Sequence, residues 1–164
     1  MILKGNAIKY GDDINTDVII PGRYLNITKK EDLARHAMKD LDSNFFKKFS
    51  KGDIIVAGKN FGCGSSREQA AMCLKYAGVG AVIATSFARI FYRNAINLGL
   101  PVVESSEAVE RIDNGDELLI DLNKGLIKDI TKNLRFAMLP TPEFLQQIIN
   151  AGGLIFWLRK KSKH

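Results

Sequence analysis

Residues 54–69 read Ile54-Ile55-Val56-Ala57-Gly58-Lys59-Asn60-Phe61-Gly62-Cys63-Gly64-Ser65-Ser66-Arg67-Glu68-Gln69. Four consecutive apolar residues after the Gly52-Asp53 turn are the pattern of a strand buried on both faces. The glycine-punctuated loop then runs into Ala70 to Ala77, a helical stretch that Gly78 is suited to end. The same alternation repeats: Gly80 to Ala84 reads as a second buried strand, Phe87 to Leu98 as a helix closed by Gly99, and Pro101-Val102-Val103 as a third strand. A β-α-β-α-β unit calls for a small parallel sheet, so the expected class is α/β.

Outside this unit, Ile2 to Tyr10 reads as a strand, followed by a Gly11-Asp12-Asp13 turn and the apolar Val18-Ile19-Ile20. Lys29 to Leu41 carries Leu33, Ala37, Met38 and Leu41 at helical spacing. Ser106 to Arg111 reads as a short helix, and Glu117 to Asp121 with Leu126 to Ile130 as a hairpin. Thr141 to Asn150 reads as a helix with Pro142 at its first position. After Gly152-Gly153, Leu154 to Lys160 forms a last helical segment. These flanks make the sheet mixed. With no internal repeat or linker, residues 1–164 are expected to form one domain.

Charge and composition remove several function classes. The chain carries 24 basic and 18 acidic residues, for a formal +6. Arg159, Lys160, Lys161 and Lys163 crowd a tail at about 159–164; without them the balance is 20 to 18. A balanced body with a basic end argues against nucleic-acid binding, and no nucleic-acid motif is present. No apolar run nears the roughly 20 residues of a membrane span, and the N-terminus lacks a secretory signal, so the cytoplasm is the expected location. Cys63 and Cys73 are the only cysteines. Two thiols are too few for a cubane iron–sulfur cluster, so no metal or cofactor site is expected within this chain.

The chemistry concentrates in Gly62-Cys63-Gly64-Ser65-Ser66-Arg67-Glu68. A strand-to-helix loop gathers backbone N–H groups and the positive end of the helix dipole at one place, which favours an anion. Two hydroxyls and a guanidinium able to grip a carboxylate with two hydrogen bonds lie beside it. The same residues also fit a capping box, Ser65 with Glu68 or Ser66 with Gln69. The two readings are compatible, one serine capping while the other meets a ligand. Dinucleotide, phosphate-loop and nucleophile-elbow patterns are absent. A serine–histidine–aspartate triad would have to use His36, which falls in a polar stretch that reads as surface.

Three segments, in order, resemble the swivelling domain of aconitases and isopropylmalate isomerases: Gly11-Asp12-Asp13-Ile14-Asn15-Thr16-Asp17-Val18-Ile19-Ile20-Pro21, the loop from Asn60 to Glu68, and Ser86-Phe87-Ala88-Arg89-Ile90-Phe91-Tyr92-Arg93-Asn94-Ala95. With the length, the match covers essentially the whole chain and is nearest the stand-alone small subunits of the isopropylmalate dehydratases. The resemblance implies a single swivelling β/β/α domain and a hydro-lyase that works only with a large subunit. It implies that Ser65 is the base that takes a proton from the carbon next to a carboxylate. It further implies that Ser66 and Arg67 bind a substrate carboxylate with Asp17 at the same site, and that a [4Fe-4S] cluster sits on three cysteines of the large partner subunit. On their own, Asp12, Asp13 and Asp17 read equally as turn formers, Arg89 and Arg93 as helix-surface charges, and Cys63 as a small residue in a tight turn.

In such proteins the segment after Tyr-Leu sets specificity; here it is Asn26-Ile27-Thr28, without the arginine that would meet an extra carboxylate. A buried unpaired carboxylate is expensive by several kcal/mol, whereas an isopropyl group can rest against Ile27. The resemblance thus implies isomerisation of 2- and 3-isopropylmalate by dehydration and rehydration in leucine biosynthesis. Arg23, just before the loop, keeps tricarboxylate substrates of the homoaconitase type open, and citramalate or dimethylmalate also suit an uncharged loop. A non-catalytic carboxylate-binding module remains the reading from a different class.

Overall fold

A computed structural model describes residues 1–163; His164, the last residue of the basic tail, lies outside them. In chain order the elements are β1 (Ile2–Lys9), α1 (Thr16–Ile19), a 3-10 turn (Gly22–Tyr24), α2 (Lys30–Ala34), α3 (Phe45–Lys48), β2 (Ile54–Ala57), α4 (Glu68–Ala77), β3 (Ala81–Ala84), α5 (Arg89–Leu98), β4 (Val102–Glu104), α6 (Ser106–Arg111), β5 (Glu117–Asp121), β6 (Leu126–Asp129), β7 (Leu134–Ala137), α7 (Glu143–Asn150) and α8 (Leu154–Lys161). One seven-stranded sheet runs β4-β3-β2-β1-β5-β6-β7. β1 to β4 pair in parallel and β5 to β7 continue the sheet antiparallel from β1. The fold is α/β with a mixed sheet, as the central repeat requires.

The unpatterned apolar runs are explained by two cores, one on each face of the sheet. Ile55, Ala57, Val82 and Ala84 point to the face covered by α4 and α5, where they join Leu74, Phe91 and Leu100. Ile54, Val56, Ala81 and Ile83 point the other way, to Ala108, Leu118, Ile120, Ile127 and Phe136. Side chains of β3 and β6, far apart in strand order, share that second core, so the sheet curls around it. Gly78 and Gly99 close α4 and α5 in the left-handed conformation, where a Cβ is disfavoured.

Three expectations change. The helix over Lys29 to Leu41 shrinks to Lys30–Ala34. Met38 adopts φ 61 and sends its N–H to the carbonyl of Ile19 at 2.8 Å, so Ala37 and Met38 reach the core from turns instead of a helix face. α5 begins at Arg89, because residues 85–88 are taken by contacts with the loop after β2; Pro142 flanks α7 instead of opening it. α3 and β7 carry too few residues for a periodic signal. The turn into β7 is marked only by Asn133 at φ 55, a residue that tolerates that conformation.

Candidate active site

The loops after β1, β2 and β3 emerge at the carboxyl ends of neighbouring parallel strands, where α/β sheets place their ligands. They are zipped together by backbone. Gly58 donates to Gly11 O at 2.9 Å, Asp13 to Lys59 O at 2.8 Å, Gly62 to Ile14 O at 2.8 Å and Thr16 to Cys63 O at 2.9 Å. Phe61 donates to Ser86 O at 3.0 Å and Ala88 to Phe61 O at 2.9 Å. Carboxylates reinforce the seam. Asp12 Oδ1 accepts from Lys59 N at 2.7 Å, and Asp13 Oδ1 from Asn60 Nδ2 at 3.1 Å. Asp12 and Asp13 are therefore structural, in line with the plain turn reading.

Beneath the seam lie Phe61, Phe87 and Phe91, with Phe61–Phe91 centroids 5.2 Å apart. Gly62, at φ +81, has Phe91 where a Cβ would stand. Only glycine satisfies both the backbone angle and the ring. Phe87 and Phe91 thus serve as the floor of the serine loop, while Arg89 and Arg93 point outward, exposed.

On this floor Ser65 and Ser66 are exposed. The capping-box reading fails: α4 starts at Glu68, its flanking residue is Arg67, and no side chain caps it. Arg67 lies in the β region and its N–H bonds back to Ser65 O at 2.8 Å, so neither serine hydroxyl caps the helix. The N-terminus of this ten-residue helix therefore stays open to an anion. Thr16, almost fully buried, places its Oγ1 3.1 Å from Ser65 O and 3.3 Å from Ser65 Oγ. Asn15 caps α1, accepting from Asp17 N at 2.9 Å and Val18 N at 3.1 Å. That cap fixes Asp17, whose Oδ1 lies 2.6 Å from Arg67 NH1. Arg67 NH1 also donates to Ile20 O at 3.3 Å. The structure therefore brings Ser65, Arg67 and Asp17 together. Sequence reading missed Thr16 and Asn15, although an Asx residue ahead of Val18-Ile19-Ile20 is a helix-start signal.

The Gly22–Tyr24 turn walls this site on one side, with Gly22 against the Arg67 guanidinium. Asn26 and Thr28 follow, exposed; Ile27 is half-buried against the core. None of the three shares a hydrogen bond with the Ser65–Arg67 loop among the described residues. Arg23 does not turn inward: its two guanidinium nitrogens grip Asp40. His36 is not a plain surface residue. It is half-buried and stacked on Tyr24.

The thiols differ. Cys63 is half-buried in the loop, and its residue bridges Asn15. Cys73 is fully buried on α4, its Sγ 3.2 Å from Ala70 O, and burial pushes its thiol far up. Among the described residues no three histidine, cysteine, aspartate or glutamate side chains group as a metal site, and no helix is long and apolar enough to cross a membrane. The main cleft, lined by Phe87, Tyr92, Val103, Leu139 and Leu145, leaves out Ser65 and Arg67. The serine loop lies outside that cleft, with Ser65 and Ser66 exposed.

A parallel sheet presenting these three zipped loops defines a known class: residues 13–108 match the family described as the aconitase C-terminal domain, and the chain belongs to that family. It is 59% identical over 163 residues to the 3-isopropylmalate dehydratase small subunit of Caldicellulosiruptor saccharolyticus, covering 99% of this chain and 94% of that one. It is 56% identical over 164 residues to the corresponding small subunit of Halothermothrix orenii, covering 100% and 99%. The crystal structure of a 3-isopropylmalate dehydratase from Methanocaldococcus jannaschii superposes with TM-score 0.93 at 50% identity, covering 99% of this chain and 96% of that one. Within the aconitase family, the chain is thus of the 3-isopropylmalate dehydratase small-subunit type.

Proposed function

We propose that this chain supplies the proton-abstracting half of a 3-isopropylmalate dehydratase, interconverting 2- and 3-isopropylmalate, and that the other half stands on a large subunit. The observation that carries this is an exposed Ser65 in the loop that leads into Arg67 and the uncapped N-terminus of α4, outside the cleft lined by Phe87, Tyr92 and Leu139.

Ser65 Oγ takes the proton from the carbon next to a substrate carboxylate and returns it on rehydration. A serine alkoxide needs strong local stabilisation. The α4 N-terminus and the Arg67 guanidinium provide fixed positive charge, and Thr16 Oγ1 is a hydroxyl within reach. Such charge acts most strongly where water is excluded, which an open loop achieves only when a second protein covers it. Arg67 takes a substrate carboxylate, with Asp17 and Ile20 O fixing the direction of its fork. Ser66 adds a hydroxyl to that carboxylate, and Asn26, Ile27 and Thr28 meet the substituent that distinguishes one malate from another.

The donor set of this chain does not fit a [4Fe-4S] cluster: two thiols, one of them sealed in the core, fall short of three ligands. A cluster would therefore have to be held by the partner, and from there it would supply Lewis-acid chemistry for the departing hydroxyl. Base and acid then belong to different chains, and activity depends on their alignment.

The test is reconstitution with the large subunit under anaerobic conditions and a panel of 2-isopropylmalate, citramalate, dimethylmalate and homoaconitate. Turnover of isopropylmalate, with neither chain active alone, is the expected result. Turnover by the isolated chain, or preference for homoaconitate, contradicts the reading.

A further inference from the structure

One cluster outside the serine loop is more ordered than a surface needs. The Tyr24 ring lies flat on the His36 imidazole, with centroids 3.7 Å apart and planes 9° from parallel. The Arg23 guanidinium carbon stands 4.6 Å from the Tyr24 centroid, and Lys39 Nζ lies 5.4 Å from it and 3.3 Å from the Tyr24 hydroxyl. Arg23 is itself paired with Asp40. The platform under the stack is fixed. Met38, fully buried, donates to Ile19 O at 2.8 Å and accepts from Asp42 N at 2.8 Å. His36 N bonds to Leu33 O at 3.1 Å. His36 Nδ1 is buried and has no hydrogen-bond partner among the described residues.

Tyr24 closes the 3-10 turn that begins at Gly22, and Gly22 abuts Arg67. The following residues depend on the same turn: Leu25 N bonds to Gly22 O at 3.2 Å and Ile27 N to Tyr24 O at 3.1 Å. Arg23 on Asp40, and Leu25 and Ile27 against the core, anchor the segment's other side chains, while Asn26 and Thr28 are exposed.

We infer that His36 is a positioning residue for substrate recognition: its stack on Tyr24 sets the Gly22–Tyr24 turn against Arg67 and thereby aims residues 26–28 at the substrate. This rests on the reading of Ser65 and Arg67 as the catalytic face. The stack suits a neutral ring. A neutral imidazole can leave Nδ1 bare, whereas the charged form must place an N–H there without an acceptor, a costly state. Burial, then Lys39, Arg23 and Arg35, hold His36 below its ordinary value, with Asp32 opposing weakly. Asp40 is occupied by Arg23. A histidine so depressed leaves the folded clamp intact above about pH 6.5 and weakens it as pH falls below that value.

The experiment compares His36→Ala, which removes the stack, with His36→Phe, which keeps a flat ring and no proton. In the reconstituted enzyme at pH 7.5, His36→Ala raises KM for 2-isopropylmalate about three- to tenfold, the span an aromatic pair contributes, with kcat changed less than twofold. His36→Phe restores KM. Between pH 7.5 and 5.5, KM of the wild type rises relative to that of His36→Phe. Independently of turnover, amide hydrogen exchange of Leu25 and Ile27 in the isolated chain quickens about three- to tenfold in His36→Ala and not in His36→Phe. Unchanged KM and unchanged exchange in a folded His36→Ala overturn the inference. Faster exchange without any KM change also overturns it, by making the stack purely structural. A wild-type mixture with no turnover at all counts against the catalytic reading, while the exchange result still judges the clamp.

Discussion

On the parallel half of the sheet, Asp17 on α1 and Arg67 at the start of α4 meet at 2.6 Å, with the Asp17 side chain 64% exposed. On the antiparallel half, Lys132 reaches Asp113 at 2.6 Å and Asp116 at 2.8 Å, and stands over Asp129, which is wholly buried. The second group is a structural knot. Asp129 Oδ1 holds Lys132 N at 3.0 Å, Asp116 Oδ2 holds Asp113 N at 2.7 Å, and together they tie α6 to the β5–β6–β7 meander. The first group ties little. An exposed ion pair contributes at most about 1 kcal/mol, and the loops it joins are already zipped by backbone. The knot thus has two carboxylates sealed from water at its centre, Asp116 and Asp129, whereas the Asp17 carboxylate is left available to a ligand.

The largest effect that sharpens this contrast is Ser65→Ala. In the reconstituted enzyme it lowers kcat by about 10²- to 10⁴-fold, the range for a lost general base. Stability changes by no more than about 0.5 kcal/mol, because the side chain is exposed; urea unfolding of the isolated chain checks that second half. Gly62→Ala tests the floor instead of the chemistry. A Cβ there meets Phe91 in a left-handed backbone, so unfolding free energy falls by about 3 kcal/mol, overpacking and backbone strain adding.

Legibility followed the same division. The parallel half could be read from sequence because both faces of β2 and β3 are buried: Ile54–Ala57 and Ala81–Ala84 are unbroken apolar runs, and Gly78 and Gly99 mark where the helices stop. The serine loop was legible through its glycines and its resemblance to a family. What escaped was set by long-range contacts. Ser65 and Ser66 fit a capping pattern, yet the backbone bond from Arg67 to Ser65 decides against it. Met38 sits at helical spacing, but its N–H answers to Ile19 across the chain. His36 looked polar and superficial because its partner, Tyr24, is twelve residues away and meets it through a turn.

Arg67→Lys is the next effect. A lysine keeps the charge and loses the fork, so kcat/KM falls about 30-fold, roughly 2 kcal/mol, close to one charged hydrogen bond; steady-state kinetics of the reconstituted enzyme measures it. The smallest effect lies in the knot. Burial and the Asp116 carboxylate raise the Asp129 carboxyl above its ordinary range. Its favourable contribution is therefore complete below about pH 4 and lost as pH rises through the raised value. Asp129→Asn, which cannot ionise, stabilises the fold at pH 7.5 by about 1 kcal/mol, with the gain vanishing near pH 3.5. Activity at pH 7.5 stays unchanged. Thermal unfolding at the two pH values checks the sign, and a loss of activity in this variant breaks the contrast between the halves.

The most direct measurement is a competition. The large subunit is held fixed with a matching amount of wild-type small chain, and Ser65→Ala chain is titrated in while isopropylmalate turnover is followed. If this chain brings the base to a partner that brings the rest, the variant docks normally and poisons the mixture, halving the rate when the two small chains are equal. A rate that holds steady while the variant is shown to be bound contradicts the account, because the proton would then be leaving by another group.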